Sequence, residues 1–254
     1  MKVVILGAGN VASHLTRALL ESTVHVAQIY NRTLKKAEAI AKPYNLAFTD
    51  KISELQKADL YIISASDKAV KEISCHIPFE DVLVVHTAGS LGMDSLKGNY
   101  RKGVLYPLQT FSMDKGVRYE KVPFFIETEN DEDFIKLEKL LLKVSEKVYR
   151  MTSEQRIYLH LSAVFVCNFT NYMYTIGEKL LEQADLPFKM LIPLIDETCQ
   201  KIHEIPPSKA QTGPAKRDDQ NIIEKHLEML KNQSDLAQLY ALMSKEILKQ
   251  QHEL

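Results

Sequence analysis

Near the start of the chain, Gly7-Ala8-Gly9-Asn10-Val11-Ala12 has the residue types and spacing to hold phosphate. It follows the apolar run Val3 to Leu6 and leads into an amphipathic stretch, Val11 to Glu21, so the expected context is strand, glycine turn, helix. Gly7 would allow the tight turn and Gly9 would let the backbone approach a pyrophosphate. Ala12 is the third small residue, where helix packs on strand. The helix N-terminus offers amides and a partial positive charge. About 20 residues further on, an NAD site places an acid on the ribose hydroxyl. Here Asn31-Arg32-Thr33 stands instead. A guanidinium fork suits a 2′-phosphate, Asn31 and Thr33 add neutral hydrogen bonds, and Lys35 and Lys36 strengthen the positive field. These residues therefore predict NADP(H) as cofactor; the alternative is a solvated basic helix start.

In open α/β sheets ligands bind outside the carboxyl ends of the strands. Ser64-Ala65-Ser66-Asp67 and His86-Thr87-Ala88-Gly89-Ser90 each follow a predicted strand. Ser64, Ala65, Ser66, Thr87, Ala88 and Gly89 are accordingly candidates for cofactor contact, with strand-to-helix turns as the alternative. Tyr106-Pro107-Leu108-Gln109-Thr110-Phe111 reads as a loop on the same rim or a packed connector.

The second set of candidates lies on one long predicted helix, Glu154 to Leu181, apolar on most of its circumference and so expected to be buried. At 100° per residue His160, Asn168, Asn171 and Thr175 fall within an arc of about 80°. His160 is the first candidate proton donor, with Asn168 and Asn171 orienting a carbonyl, imine or carboxylate. His86, at a strand end, is its rival. An internally bonded polar stripe would look the same in sequence. Gln211-Thr212-Gly213-Pro214-Ala215-Lys216-Arg217-Asp218-Asp219 reads as a Gly-Pro loop in which Gln211, Thr212 and Arg217 could contact substrate, Arg217 as a carboxylate clamp, or as an interhelical turn. Cys199 and His203 are one helical turn apart near Glu197 but lack further ligands, so no metal site is expected.

Strands positioning these groups are predicted at Val3–Leu6, Val24–Tyr30, Leu60–Ser64, Val82–His86 and Val122–Glu127. Helices are expected between them at Val11–Glu21, Leu34–Ala41, Lys68–Ser74 and Asp131–Val144. After Lys147 to Met151 the strand signal disappears. Thr152 with Gln155 matches a capping box that marks a domain boundary. The expected fold class is α/β, a doubly wound Rossmann-like parallel sheet domain (residues 1–151) followed by an all-α helical domain (152–254).

The 254 residues, 45% hydrophobic and 26% charged, argue against disorder and coiled coil. A net charge of −1 gives no global reason to expect nucleic acid or an anionic membrane as partner. Cys75, Cys167 and Cys199 are widely spaced, which fits a reducing compartment. No early apolar run is long enough for a membrane span. A cytoplasmic protein is expected.

Gly7 to Ala12, Asn31-Arg32-Thr33, His86 to Ser90, His160-Leu161-Ser162-Ala163-Val164-Phe165 through Asn168-Phe169-Thr170-Asn171, and Thr212-Gly213-Pro214-Ala215-Lys216-Arg217-Asp218 together resemble a family of Rossmann-like NADP oxidoreductases with a C-terminal helical domain of unsettled function. The resemblance covers nearly the whole chain. More distantly the chain is similar to pyrroline-5-carboxylate reductase, deazaflavin-dependent NADP reductases and β-hydroxyacid dehydrogenases. Those relatives imply hydride transfer and a homodimer joined through the helical domains. The catalytic Lys and Asn of the β-hydroxyacid dehydrogenases have no counterpart here: the helix offers His160 and Asn168, with Lys179 near its end.

Taken together, these features predict an NADP(H)-dependent oxidoreductase acting on a small carbonyl or imine in the interdomain cleft. The alternatives are a non-catalytic NADP-binding sensor or scaffold, and a degenerate domain kept for dimerisation.

Overall fold

The structure is a computed structural model that describes residues 1–113 and 115–253. The chain divides into two compact units, Met1–Tyr172 and Met173–Leu254. The first therefore extends beyond the capping box at Thr152 and includes the helix that begins there.

In the first unit the described residues form one eight-stranded sheet: β1 (Lys2–Leu6), β2 (His25–Tyr30), β3 (Ala47–Thr49), β4 (Leu60–Ile63), β5 (Leu83–His86), β6 (Arg101–Pro107), β7 (Phe124–Thr128) and β8 (Val148–Arg150). Their spatial order is β3-β2-β1-β4-β5-β6-β7-β8. All neighbours are parallel except β6 and β7, which pair antiparallel from Gly103↔Thr128 to Pro107↔Phe124. The order reverses between β1 and β4, where Leu6 pairs with Ile63. A doubly wound sheet opens its ligand crevice at such a switch point.

Alternation along β1 explains its central place. Val3 and Ile5 belong to one hydrophobic core, Val4 and Leu6 to the other, and all four are fully buried. Helices α1 (Asn10–Glu21), α2 (Leu34–Ala41), α3 (Asp67–Cys75) and α4 (Asp131–Leu141) connect the strands. From α1, Ala12, Leu15, Ala18 and Leu19 enter the first core; Val70 of α3 enters the second.

The last helix of this unit, α5 (Ser153–Ala163), starts at the expected capping box, with Thr152 and Gln155 each bonding the other's backbone amide. It runs into a π-helical segment, Val164–Phe169, and then α6 (Thr170–Glu182). The expectation that this rod is buried is not met within the chain: Leu161, Phe165 and Val166 are 51%, 59% and 68% exposed. Ala163 and Val164 are half-buried, so the exposure is concentrated on one part of its circumference.

The second unit contains the remainder of α6, then α7 (Ile192–Glu204), α8 (Pro207–Ala210), α9 (Gln220–Met229) and α10 (Ser234–Glu253). Packing of α9 on α10 includes a hydrogen bond between His226 Nδ1 and the Tyr240 hydroxyl at 2.8 Å. Among the described residues, no helix is long and apolar enough to cross a membrane.

The turn after β1 depends on one missing side chain. Gly7 has φ +131°, and a Cβ there would fall 1.9 Å from the Ser64 carbonyl oxygen at the end of β4. Gly7→Ala is therefore expected to lose about 3 kcal/mol or more, read as a lower urea midpoint, because backbone strain and a backbone clash add. An unchanged midpoint would contradict this packing.

Candidate functional site

A cavity of about 540 Å³ opens at the switch point. The turn after β1 contributes Gly7, Ala8, Gly9, Asn10 and Val11, and the end of β2 contributes Asn31, Arg32 and Thr33. Ser64, Ala65 and Ser66 come from the end of β4, Thr87 and Ala88 from the end of β5. Every sequence-derived cofactor candidate except Gly89 thus lines one space. Tyr30, Lys36, Asp67, Ala69, Glu72 and Ile73 complete the lining. Lys35 is not among these lining residues, one residue round the helix from Lys36.

The glycine turn fits a dinucleotide on its own geometry. Gly9 is the N-cap of α1 and makes no side-chain cap bond. A Cβ on Gly9 would meet nothing within 4 Å, so the space in front of the helix end is open. The first helical hydrogen bond runs from Ser13 N–H to the Gly9 carbonyl at 3.0 Å. The preceding amides have no intrahelical acceptor and face a ligand or solvent. The Asn10 side chain is tied down, its Nδ2 donating to the Phe111 carbonyl at 2.9 Å. Beneath it buried His14 bonds the Tyr119 hydroxyl and the Ser112 carbonyl, both at 2.9 Å, which anchors the loop after β6 to α1.

Of the two histidine candidates, His86 is fully buried. Its Nδ1 accepts from the Ala88 amide and its Nε2 lies 3.2 Å from the Gly92 carbonyl, so the ring is the neutral Nε2–H tautomer with both nitrogens committed to backbone. Burial, with a smaller contribution from the Arg156 charge, pushes its pKa down to about 4.

His160 is half-buried. Its Nδ1 lies 3.1 Å from the Tyr106 hydroxyl at the end of β6, the rings meeting edge to face at 80°. Both rings press on Gly89: a Cβ there would fall 2.5 Å from His160 Nδ1 and 2.9 Å from Tyr106 Cε2. Gly89, absent from the cavity wall, makes room for this pair.

One turn before His160, Arg156 is 1% exposed and holds α5 to the sheet. Its Nη1 donates to Glu127 of β7 at 2.7 Å, and its Nη2 donates to the Leu91 carbonyl after β5. Ser153 Oγ donates to the same Glu127 oxygen at 2.6 Å and accepts the Met93 amide at 3.0 Å.

Asn168 lies within the π segment and Asn171 just after it, both exposed; Asn171 has an interaction of its own. The π segment changes the angular advance after His160, so the uniform 100° stripe does not describe this helix. In the second unit Gln211 Nε2 donates to the Thr212 carbonyl at 2.9 Å, Gly213 turns with φ +109°, and Arg217 is exposed. Among the described residues no cluster could hold a metal ion.

Sequence reasoning missed Tyr106 as a site residue, and missed Arg156 and Glu127 altogether. A signal existed for the first, a tyrosine at a strand's carboxyl end. A basic residue one turn ahead of His160 on a largely apolar helix was the signal for Arg156.

A solved structure from Bacteroides fragilis, described as a "putative NADP oxidoreductase", is 42% identical, with 98% of each chain covered and a TM-score of 0.92. The chain belongs to that protein's family. Residues 122–247 match the family described as "Domain of unknown function (DUF2520)", and residues 1–76 match "Shikimate / quinate 5-dehydrogenase". The fold of the family is also that of an imine reductase from Myxococcus stipitatus in complex with NADP+ (15% identity, 98% of this chain and 94% of that one, TM-score 0.67). A 1-pyrroline-5-carboxylate reductase from Streptococcus pyogenes is similar too (12% identity, 98% of both chains, TM-score 0.64). No match was found among curated proteins.

The His86 environment sets a pH dependence. Above about pH 6.5 the ring is neutral in folded and unfolded chains alike. As pH falls from there towards 4, the unfolded chain takes up a proton that the folded one refuses, so stability declines by about 3 kcal/mol in total. Urea titrations at pH 7 and pH 4.5 should show a decline for the wild type that is smaller in His86→Gln. Equal declines would contradict the assignment.

Proposed function

We propose that the protein is an NADP(H)-dependent oxidoreductase that reduces or oxidises a small carbonyl or imine compound. The observation that carries this reading is the single cavity in which the open Gly9 helix end and Arg32 both take part. Amides at α1 would bind the diphosphate, and Arg32 with Lys36 the 2′-phosphate, Asn31 and Thr33 adding neutral bonds. The segment Asn31 to Lys36 itself supplies no carboxylate to the lining; the cavity's carboxylates, Asp67 and Glu72, come from α3. Ser64, Ala65 and Ser66 would flank the ribose, with Thr87 and Ala88 at the opposite end of the lining from Arg32. When bound, the coenzyme supplies or accepts a hydride; the protein's part is orientation, exclusion of water and proton supply. His160 brings an ionisable ring to Gly89, directly after that end of the cavity. His86, neutral and bonded to backbone on both nitrogens, is assigned a structural role. The Bacteroides relative's description and the NADP+ complex of the imine reductase agree with this coenzyme choice.

We also propose a homodimer. Ile157, Tyr158, Leu161, Phe165, Val166 and Phe169 form an exposed apolar face on α5 and the π segment, larger than a lone soluble chain normally leaves in water. A second copy carries the same face, and a two-fold interface needs only one self-complementary patch. The unpaired cysteines agree with a reducing, cytoplasmic setting.

Titration should give tighter binding of NADPH than NADH, and Arg32→Glu should weaken NADPH by about ten- to a hundred-fold while leaving NADH nearly unchanged. An unaltered preference would refute the 2′-phosphate assignment. NADPH consumption with a panel of small keto and imino acids tests turnover; tight coenzyme binding with total inactivity would favour a sensor. Sedimentation equilibrium should return twice the 29.0 kDa chain mass, and Phe165→Asp should shift it towards the monomer. A monomeric wild type would overturn the dimer.

A further inference from the structure

We propose that Tyr106 is the proton-donating catalytic residue of this site and that His160 holds and recharges it, a proposal that rests on the coenzyme reading above. Tyr106 closes β6, next to β5 in the sheet, so its ring stands beside the strand end that supplies Thr87 and Ala88 to the cavity. Gly89 follows Ala88 of that wall directly in sequence, and both rings occupy the volume its side chain would take. The end of the cavity opposite Arg32 is where the reactive half of a dinucleotide must lie if its phosphate-bearing ribose is at Arg32.

The geometry favours the phenol over the imidazole as immediate donor. Tyr106 is largely buried and packed between Phe125 and His160, with ring centroids 6.4 Å and 6.0 Å away. Its hydroxyl is therefore fixed in place. His160 spends Nδ1 on that hydroxyl and, being half-buried, keeps an edge towards solvent. The Arg156–Glu127 pair fixes the helix one turn earlier, so the distance between the rings is set from both sides.

The proton balance closes. Hydride addition at the carbon of a C=O or C=N bond moves the π pair onto oxygen or nitrogen. The Tyr106 O–H bond breaks as its proton joins that atom. The phenolate then takes the Nδ1 proton of His160 while Nε2 takes one from water, so the imidazole ends neutral and one solvent proton has been consumed. Burial raises the Tyr106 pKa, with Cys167 adding to the rise and Arg156 opposing it, which keeps the phenol protonated at neutral pH.

NMR of the full-length chain with 13Cζ-labelled tyrosine tests the proposal without any substrate, Tyr106→Phe identifying the resonance. One alkaline inflection with pH is expected, from the phenol itself, above the ordinary tyrosine range because burial raises it. NADP+, whose nicotinamide is cationic, should lower the alkaline inflection by about one pH unit or more, whereas NADPH should not. His160→Ala should weaken the coenzyme-dependent shift by releasing the hydroxyl, His160→Gln should preserve it, and both should keep coenzyme affinity within about two-fold. Full coenzyme affinity with no dependence of Tyr106 on the nicotinamide's charge would overturn the proposal. Failure of wild type to bind either coenzyme would overturn the coenzyme reading itself, and this inference with it.

Discussion

The Ser64 carbonyl oxygen stands where a side chain on residue 7 would begin. The absence of that side chain lets the ends of β1 and β4 approach where the sheet changes direction, joined by the Ser64 amide donating to the Leu6 carbonyl at 2.7 Å, and the geometry of the cavity follows from this approach. With β1 turned sharply at Gly7, α1 starts with its N-terminal amides directed into the crevice. The Asn10 bond to Phe111 and the His14 bonds to Tyr119 and Ser112 then fasten the loop after β6 to the same helix. An anion site of this kind uses backbone dipoles that are already aligned, so little reorganisation accompanies binding.

A second constraint acts on the other side of the sheet. Arg156 is almost wholly buried, and its ion pair with Glu127 is shared with Ser153 and the Leu91 carbonyl. A buried pair of this sort adds little net stability, but losing one partner strands a charge and costs about 3–5 kcal/mol. Its consequence is positional: it ties β7, the loop after β5 and the first turn of α5 together, and His160 follows one turn later. The sheet's antiparallel step between β6 and β7 matters here, because it places Tyr106 opposite Phe125 and Glu127 opposite Val104 within one register.

Much of the sheet domain was legible because its signals are local. Apolar runs mark β1, β2, β4 and β5, and the helices after the first three start within a residue or two of expectation. The glycine turn announces itself by composition alone, and Arg32 by its distance from that turn. Less visible were features set by long-range packing. β3 is three residues long, with Ala47 and Phe48 exposed at the sheet edge, so it carries little hydrophobic pattern. The Tyr106–His160 pair joins residues 54 apart in sequence, and Arg156–Glu127 joins residues 29 apart; no periodicity encodes either. The polar stripe on the long helix assumed an unbroken α-helix, which the π segment interrupts. The long helix was expected to be buried from its apolar circumference, and Leu161, Phe165 and Val166 are exposed instead, because helical periodicity records a side chain's type and not what lies against it.

Hydrogen–deuterium exchange of the full-length protein with and without NADP+ reports on the backbone amides that would grip the diphosphate. Coenzyme is expected to slow exchange at residues 9–12, with further protection around 31–33, 64–66 and 87–89, and none of comparable size on the far edge of the sheet. Saturating coenzyme that left exchange at residues 9–12 unchanged would contradict diphosphate binding there.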